Sequence, residues 1–130
     1  MFASSVGSDH RDGVIRVVPE TDGIVAVCLE GEFDLSNVRD LSDEIDRALE
    51  AGNDLILDLS QVTFMDSSII SILVQGSREA SARQQRMVLQ LGTAAVVERV
   101  LELFAIEQVV PRARDREEAV RTIRHNAGAL

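Results

Sequence analysis

The stretch LILDLSQVTFMDSSIISILV, Leu55 to Val74, decides how the chain is read. Leu55–Leu59 is a short apolar run of strand length. Ser60–Asp66 reads as a loop, and Asp66-Ser67-Ser68 opens a helix that should run to about Arg83. Asp66 is a good N-cap, because its carboxylate can accept a bond from a free backbone N–H of the first turn. Ser67 then lies in that turn with its hydroxyl free to point outward.

Working upstream, Leu35, Val38, Leu41, Ile45, Ala48 and Leu49 recur at helical spacing, which predicts a helix over Ser36–Ala51. Asp34 and Ser36 are both plausible caps, and Gly52 is a stop signal. A strand–helix–strand unit of this length implies a crossover and parallel strands. Before it, Val14–Val18 and Ile24–Glu30 read as strands joined through the turn cluster Pro19–Gly23, with Gly31 ending the second. Downstream, Met87–Leu91 is a strand, and Thr93 caps a helix to about Phe104. Gln108–Val110 is a brief strand before Pro111. Asp115 and Glu118, at capping-box spacing, open a last helix to about His125. The order β-β-α-β-α-β-α-β-α predicts an α/β fold: one domain, a mixed sheet of about five strands and four helices packed on it. Residues 1–13 read as an N-terminal tail, 14–125 as the domain and 126–130 as a C-terminal tail.

Length and composition agree with one domain. The 130 residues are 45% hydrophobic and 27% charged, which excludes wholesale disorder. Thirteen basic residues, all Arg, stand against 22 acidic ones, a net charge of −9 that would repel a phosphate backbone. Without Trp or Tyr the usual stacking platforms for bases are missing too. No nucleic-acid role is expected. The absence of Lys removes Schiff-base and P-loop lysine chemistry. Apolar runs such as Ile69–Val74 are far short of the roughly 20 residues of a membrane span, and the N-terminus lacks a signal-peptide core, so a cytoplasmic protein is expected. Cys28, the one cysteine, cannot form an internal disulfide and reads as a buried strand residue.

Motifs for catalysis are missing. There is no G-x-G-x-x-G, Walker loop, C-x-x-C or H-E-x-x-H, and the two histidines, His10 and His125, lie near opposite ends. Asp40, Asp43, Glu44 and Asp46 read as a solvated helix face rather than a metal set. No enzyme, metal or cofactor is expected. What remains is the Asp66-Ser67-Ser68 corner, which can be read either as a plain helix cap or as a modification site. A phosphate on Ser67 would face unpaired N–H groups and the positive end of the helix dipole. With no Arg nearer in the downstream sequence than Arg78, its charge of roughly −1.5 to −2 would be displayed to a partner.

The chain resembles STAS domains of the anti-sigma-factor-antagonist type over about residues 14–125. LEGEFDLSNV, Leu29–Val38, is similar to the family's Gly-Glu-(apolar)-Asp turn. LDLSQVTFMDSS, Leu57–Ser68, is similar to its strand, loop and Phe-Met-Asp-Ser-Ser signature. AVVERVLELFAIEQVVP and DREEAV resemble its ending.

The resemblance implies an anti-sigma factor antagonist that regulates transcription. Unphosphorylated, it would bind an anti-sigma factor with serine-kinase activity and free the sigma factor. Phosphorylation at Ser67 would break the contact, and a phosphatase acting on phospho-Ser67 would restore it. Asp34, Asp66, Ser67, Ser68, Ile69 and Ile72 would form the partner surface. The family usually continues Ser-Ser-Gly-Leu-Gly, whereas here Ile69, Ile70 and Ser71 follow Ser68. Ile69 would then set a branched side chain beside Ser67. The alternative is a non-catalytic STAS scaffold or sensor subunit, in a stress-signalling assembly or a lipid-transport complex, with Ile69 and Ile72 as a permanent apolar contact. Phe33 and Phe64 flank the corner and are expected in the core, a partner anchor being the other possibility.

Overall fold

In the computed structural model, residues 13–93, 95–103 and 110–128 are described. Strand β1, Val14–Pro19, and strand β2, Ile24–Phe33, form an antiparallel hairpin. A 3₁₀ turn, Leu35–Asn37, leads into helix α1, Val38–Glu50. Strand β3, Asp54–Met65, is followed at once by helix α2, Ser67–Ala82. Then come strand β4, Met87–Gln90, helix α3, Ala95–Leu103, strand β5, Arg112–Ala113, and helix α4, Arg116–Gly128. The sheet order is β1-β2-β3-β4-β5, with every pair after the hairpin parallel. The expected α/β architecture is the observed one.

The strands divide their side chains between two cores. Val27, Leu29, Phe33, Leu55, Leu57 and Leu59 meet Leu41, Ile45, Leu49, Ile69, Leu73, Val97 and Leu101 from the first three helices. On the other face Ile24, Ala26, Cys28, Ile56 and Val88 meet Ala119 and Ile123 of α4. Each fully buried Leu or Ile contributes about 1.5–3 kcal/mol relative to leaving it in water. Central strands covered on both faces read as continuous apolar runs, which is why Leu55–Leu59 shows no alternation.

Several boundaries differ from the sequence reading. The stretch expected as a loop, Ser60–Asp66, is strand through Met65. It pairs with an extension of β2 past Gly31, which also does not end its strand. The register shifts twice there, between Cys28 and Glu30 and between Gly31 and Glu32. Each shift sets an additional β3 residue against β2, as a β-bulge does. The inward positions Leu55, Leu57, Leu59, Val62 and Met65 therefore step by two, two, three and three. An alternation broken in this way looks like a loop.

The first helix begins as a 3₁₀ turn, so Leu35 falls off the apolar stripe and is 74% exposed. Strand β5 follows Pro111, and of the expected strand Gln108–Val110 residues 108 and 109 lie outside the described residues. Pro111 has no N–H to give, but its carbonyl accepts the Leu89 N–H at 2.9 Å and starts the pairing. Helix α4 continues to Gly128, past the expected end at His125 and into the expected C-terminal tail. Of the expected N-terminal tail, residue 13 is packed: a Cβ on Gly13 would lie 2.8 Å from the Asn37 side chain, the Glu32 carbonyl and the Phe33 ring.

Candidate functional site

The carboxyl ends of β2 and β3 turn into two neighbouring corners. Asp34 caps the first: its Oδ1 accepts the Ser36 N–H at 2.9 Å and the Ser36 hydroxyl at 2.7 Å. Asn37 answers by accepting the Asp34 N–H at 2.8 Å, which closes a reciprocal capping box. Asp66 caps the second: its Oδ1 accepts the Ser68 N–H at 3.0 Å and the Ser68 hydroxyl at 2.5 Å. The Asp66 N–H donates to the Phe33 carbonyl at 3.3 Å and ties the corners together. The same Asp-x-Ser pattern recurs at Asp58 and Ser60, in the first bulge.

Ser67 is the first residue of α2 and is exposed. No hydrogen bond to its hydroxyl is found among the described residues. Its neighbour Ser68 is half-buried, with both its N–H and its hydroxyl engaged by Asp66. The two serines are thus different chemically: one hydroxyl is free in water and the other is part of the cap.

Asp34, Asp66, Ser67 and Ser68 are brought together, as the sequence suggests. Ile69 is not part of the surface. It is 0% exposed, packed in the core with Leu41 and Leu73, so it sets no side chain beside Ser67 and offers nothing to a partner. Its branched chain points inward because Asp66 fixes the helix start, which turns the third helical position toward the sheet. Ile72 is half-buried and lines a groove of about 180 Å³ between α1 and α2, with Ser42, Asp46, Gln75 and Glu79. The two isoleucines therefore form no joint apolar patch. Phe33 is in the core as expected, but Phe64 is 45% exposed.

A second polar cluster was not anticipated. Cys28, Asp58 and Gln90 stand side by side across β2, β3 and β4. Arg116, at the start of α4, reaches all of them. Its guanidinium donates to Asp58 Oδ2 at 2.5 Å, Gln90 Oε1 at 2.6 Å, Glu20 Oε2 at 2.7 Å and Cys28 Sγ at 3.5 Å. Burial opposes the Arg116 charge, yet the bonds to Asp58 and Glu20 prevail and raise its pKa. Burial pushes the Cys28 thiol up, against the pull of Arg116, so the thiol is held protonated. The available signal was Asp58 itself, a carboxylate inside an apolar strand that demands a cationic partner. Every member is satisfied, and the cluster pins α4 to the sheet. Among the described residues no three His, Cys, Asp or Glu converge as a metal-binding group, and no helix is long and apolar enough to cross a membrane.

A family model described as "Mlab, STAS domain" matches residues 17–111, which holds both corners and the strands that position them. The chain belongs to the STAS domain family. Its fold is similar to that of an anti-sigma factor antagonist from Mycobacterium paratuberculosis, at 23% identity and a TM-score of 0.75, over 90% of this chain and 98% of that one. It is similar to the anti-sigma factor antagonist SpoIIAA in its unphosphorylated form, at 25% identity and a TM-score of 0.72, over 85% and 96%. The phosphorylated form of SpoIIAA, a Bacillus cell fate determinant, aligns at 23% identity and a TM-score of 0.65, over 85% and 99%. A comparison with curated protein sequences finds no match. The likeness covers nearly the whole of each of these chains.

Proposed function

We propose that this STAS protein is a non-catalytic, cytoplasmic anti-sigma factor antagonist. Unphosphorylated, it binds an anti-sigma factor with serine-kinase activity and frees the sigma factor. Phosphorylation of Ser67 switches the contact off, and a phosphatase acting on phospho-Ser67 restores it. The observation that carries this reading is the contrast between the two serines. The Ser67 hydroxyl is exposed at a helix N-terminus, whereas that of Ser68 is held by Asp66. SpoIIAA, one of the similar structures, exists in phosphorylated and unphosphorylated forms. Phosphate on Ser67 adds roughly −1.5 to −2 charges beside Asp66. If that charge must be desolvated on docking it costs a few kcal/mol, and each 1.4 kcal/mol is about tenfold in affinity.

Calorimetry on wild type, Ser67→Asp and Ser67→Ala against a kinase-type anti-sigma factor tests the switch. Ser67→Asp should bind about tenfold or more weakly. Ser67→Ala should bind like wild type and take up no phosphate with ATP. Equal affinities for all three would refute the proposal. A second reading, a permanently assembled STAS subunit without a phospho-switch, is favoured by the Mlab description of the family model. It predicts that Ser67→Asp leaves assembly unchanged and that no incubation with kinase and ATP yields phospho-Ser67.

A further inference from the structure

A furrow runs between α1 and α2. The helices follow parallel strands, so both start at the corner end of the sheet and lie side by side in the same direction. Gly76 lets them approach closely: a Cβ there would lie 3.2 Å from Ile45 Cγ2 and 3.3 Å from the Met87 sulfur. The furrow opens into the groove of about 180 Å³. Its floor is aliphatic, from buried Ile45 and Gly76 and half-buried Ile72. Its walls carry oxygen-bearing side chains, half-buried Ser42 and exposed Asp46, Gln75 and Glu79.

One of the two carboxylates on these walls is unmet. Glu79 is paired with Arg83 at 2.7 Å, but Asp46 has no hydrogen bond or ion pair among the described residues. Arg47, beside it in sequence, is turned to Glu44 at 2.8 Å. Helix α1 as a whole sets five carboxylates, Asp40, Asp43, Glu44, Asp46 and Glu50, against Arg39 and Arg47, and in α2 Arg78 and Glu79 balance. An aliphatic floor under acidic walls suits a long cationic side chain, whose stem packs on the floor while its head stays at the polar rim. A guanidinium has five donors to share among the carboxylates, the Gln75 amide oxygen and the Ser42 hydroxyl. A cofactor-sized ligand needs about 300–1,000 Å³ and does not fit. A second copy of the chain carries the same −9 and is repelled, which favours a different protein as the owner of the side chain.

The groove is reached from Ser67 along one row of α2. Ser67, Ser71 and Gln75 are four residues apart and all exposed. Residues four apart lie about 6 Å along the axis and about 40° around it, so the row reaches the rim of the groove in about 12 Å. A standard interface covers about 800 Å² on each partner and can span both. We infer that the α1–α2 groove is a second contact of the protein that docks at Ser67, and that it takes an Arg or Lys side chain projecting from that protein. The identity of the partner rests on the proposed function; the preference of the groove for a cation does not depend on Ser67.

The test first follows the backbone amide resonances of isotope-labelled protein as Nα-acetyl-L-arginine methylamide is added. Saturable shifts should be confined to α1 and α2 beside the groove, around Asp46, Gln75 and Gly76. The citrulline analogue, of the same shape with a neutral head, should produce none. Asp46→Asn should weaken the arginine probe about fivefold, and Asp46→Arg should abolish its binding. Asp46 is exposed, and urea curves equal to wild type verify the fold. Association rates are then measured with each serine-kinase anti-sigma factor encoded in the same genome, purified singly. Asp46→Arg should slow association about tenfold and flatten its salt dependence.

No saturable shift at the groove, or equal shifts with the citrulline analogue, would overturn the inference, and if Ser67→Asp still weakened docking, the switch alone would stand. A groove that takes the probe while Asp46→Arg associates like wild type would overturn it too, because the partner then does not use the groove. Both groove effects with an indifferent Ser67→Asp would uphold the inference and refute the switch. Failure of every kinase to bind wild type would overturn both. Self-association of wild type that Asp46→Arg removes, seen by sedimentation velocity, would overturn the inference in favour of a second copy.

Discussion

Replacing Arg116 by Met should reveal how firmly α4 is pinned. The Arg116 guanidinium is bonded to Asp58, Gln90 and Glu20, with side chains 30% exposed for Arg116 and 11% for Asp58. Removing one partner of a fully buried pair costs about 3–5 kcal/mol, because the remaining charge is stranded. Here the penalty is smaller. Ser60 still donates its N–H and hydroxyl to Asp58 Oδ1, and Arg116 is partly in water already. A loss of about 2–3 kcal/mol is expected. With urea slopes of about 1–3 kcal/mol/M for small domains, the midpoint should fall by about 1–2 M at unchanged slope. Asp58→Asn removes the stranded charge while keeping an acceptor for Ser60. The double variant should therefore be more stable than the sum of the two single losses by at least about 1 kcal/mol. If Arg116→Met unfolds within about 0.5 kcal/mol of wild type, desolvation cancels the attraction and the cluster pins nothing.

Asp66→Ala removes the α2 cap and should cost about 0.5–2 kcal/mol, read from the same urea curves. Gly92 has φ +60°, and a Cβ there would lie 2.7 Å from the Ser60 Cβ, whereas Gly52 has φ +87° with nothing within 4 Å. Gly52→Ala should thus cost about 1–2 kcal/mol of backbone strain, and Gly92→Ala visibly more, ordered by melting temperature. The Glu118 carboxyl titrates below its ordinary value because the Arg114 backbone N–H and guanidinium donate to it. Its contribution is full above the unfolded-state value and is lost as pH falls through the lower folded value. Glu118→Gln should therefore lower stability slightly at neutral pH, leave it little changed at the acid end, and so flatten the acid limb of stability against pH.

The fold was legible because its signals are local and mutually consistent. The apolar stripe Leu41, Ile45, Ala48, Leu49, the strand runs and the caps Asp34, Asp66 and Asp115 all point the same way. Asp115 does accept the Glu118 N–H at 2.8 Å, although the Glu118 carboxylate turns to Arg114 instead of closing the box. The polar part of the candidate site was legible for the same reason: a cap has a short-range signature. The exposed apolar side chains were not. Exposure of Phe64 depends on two bulges and on where α4 stops, both long-range facts, and Leu35 matched a helical period that the 3₁₀ turn breaks. Ile69 shares the first turn with Ser67 but lies two residues on, and at about 100° per residue its side chain leaves the helix about 200° away, on the core side.

The bulges also bear on how a charge at Ser67 can act. The second halves of β2 and β3 form a paired ribbon up to Phe33 and Met65, and Asp66 is bonded to that ribbon through the Phe33 carbonyl. Asp66 is in turn committed to Ser68, and α2 is anchored from its first turn by Ile69 and Ile70. A new anion at Ser67 meets no basic residue in either corner stretch, so nothing there could trade partners to move a loop. Under the proposed function the switch must therefore be read by the partner at the surface, without refolding of the domain. Backbone amide exchange across β2, β3 and α2 should be the same in wild type and Ser67→Asp. Slowed or accelerated exchange in β3 or α2 would mean that the charge is transmitted through the fold, and the surface account of the switch would fail.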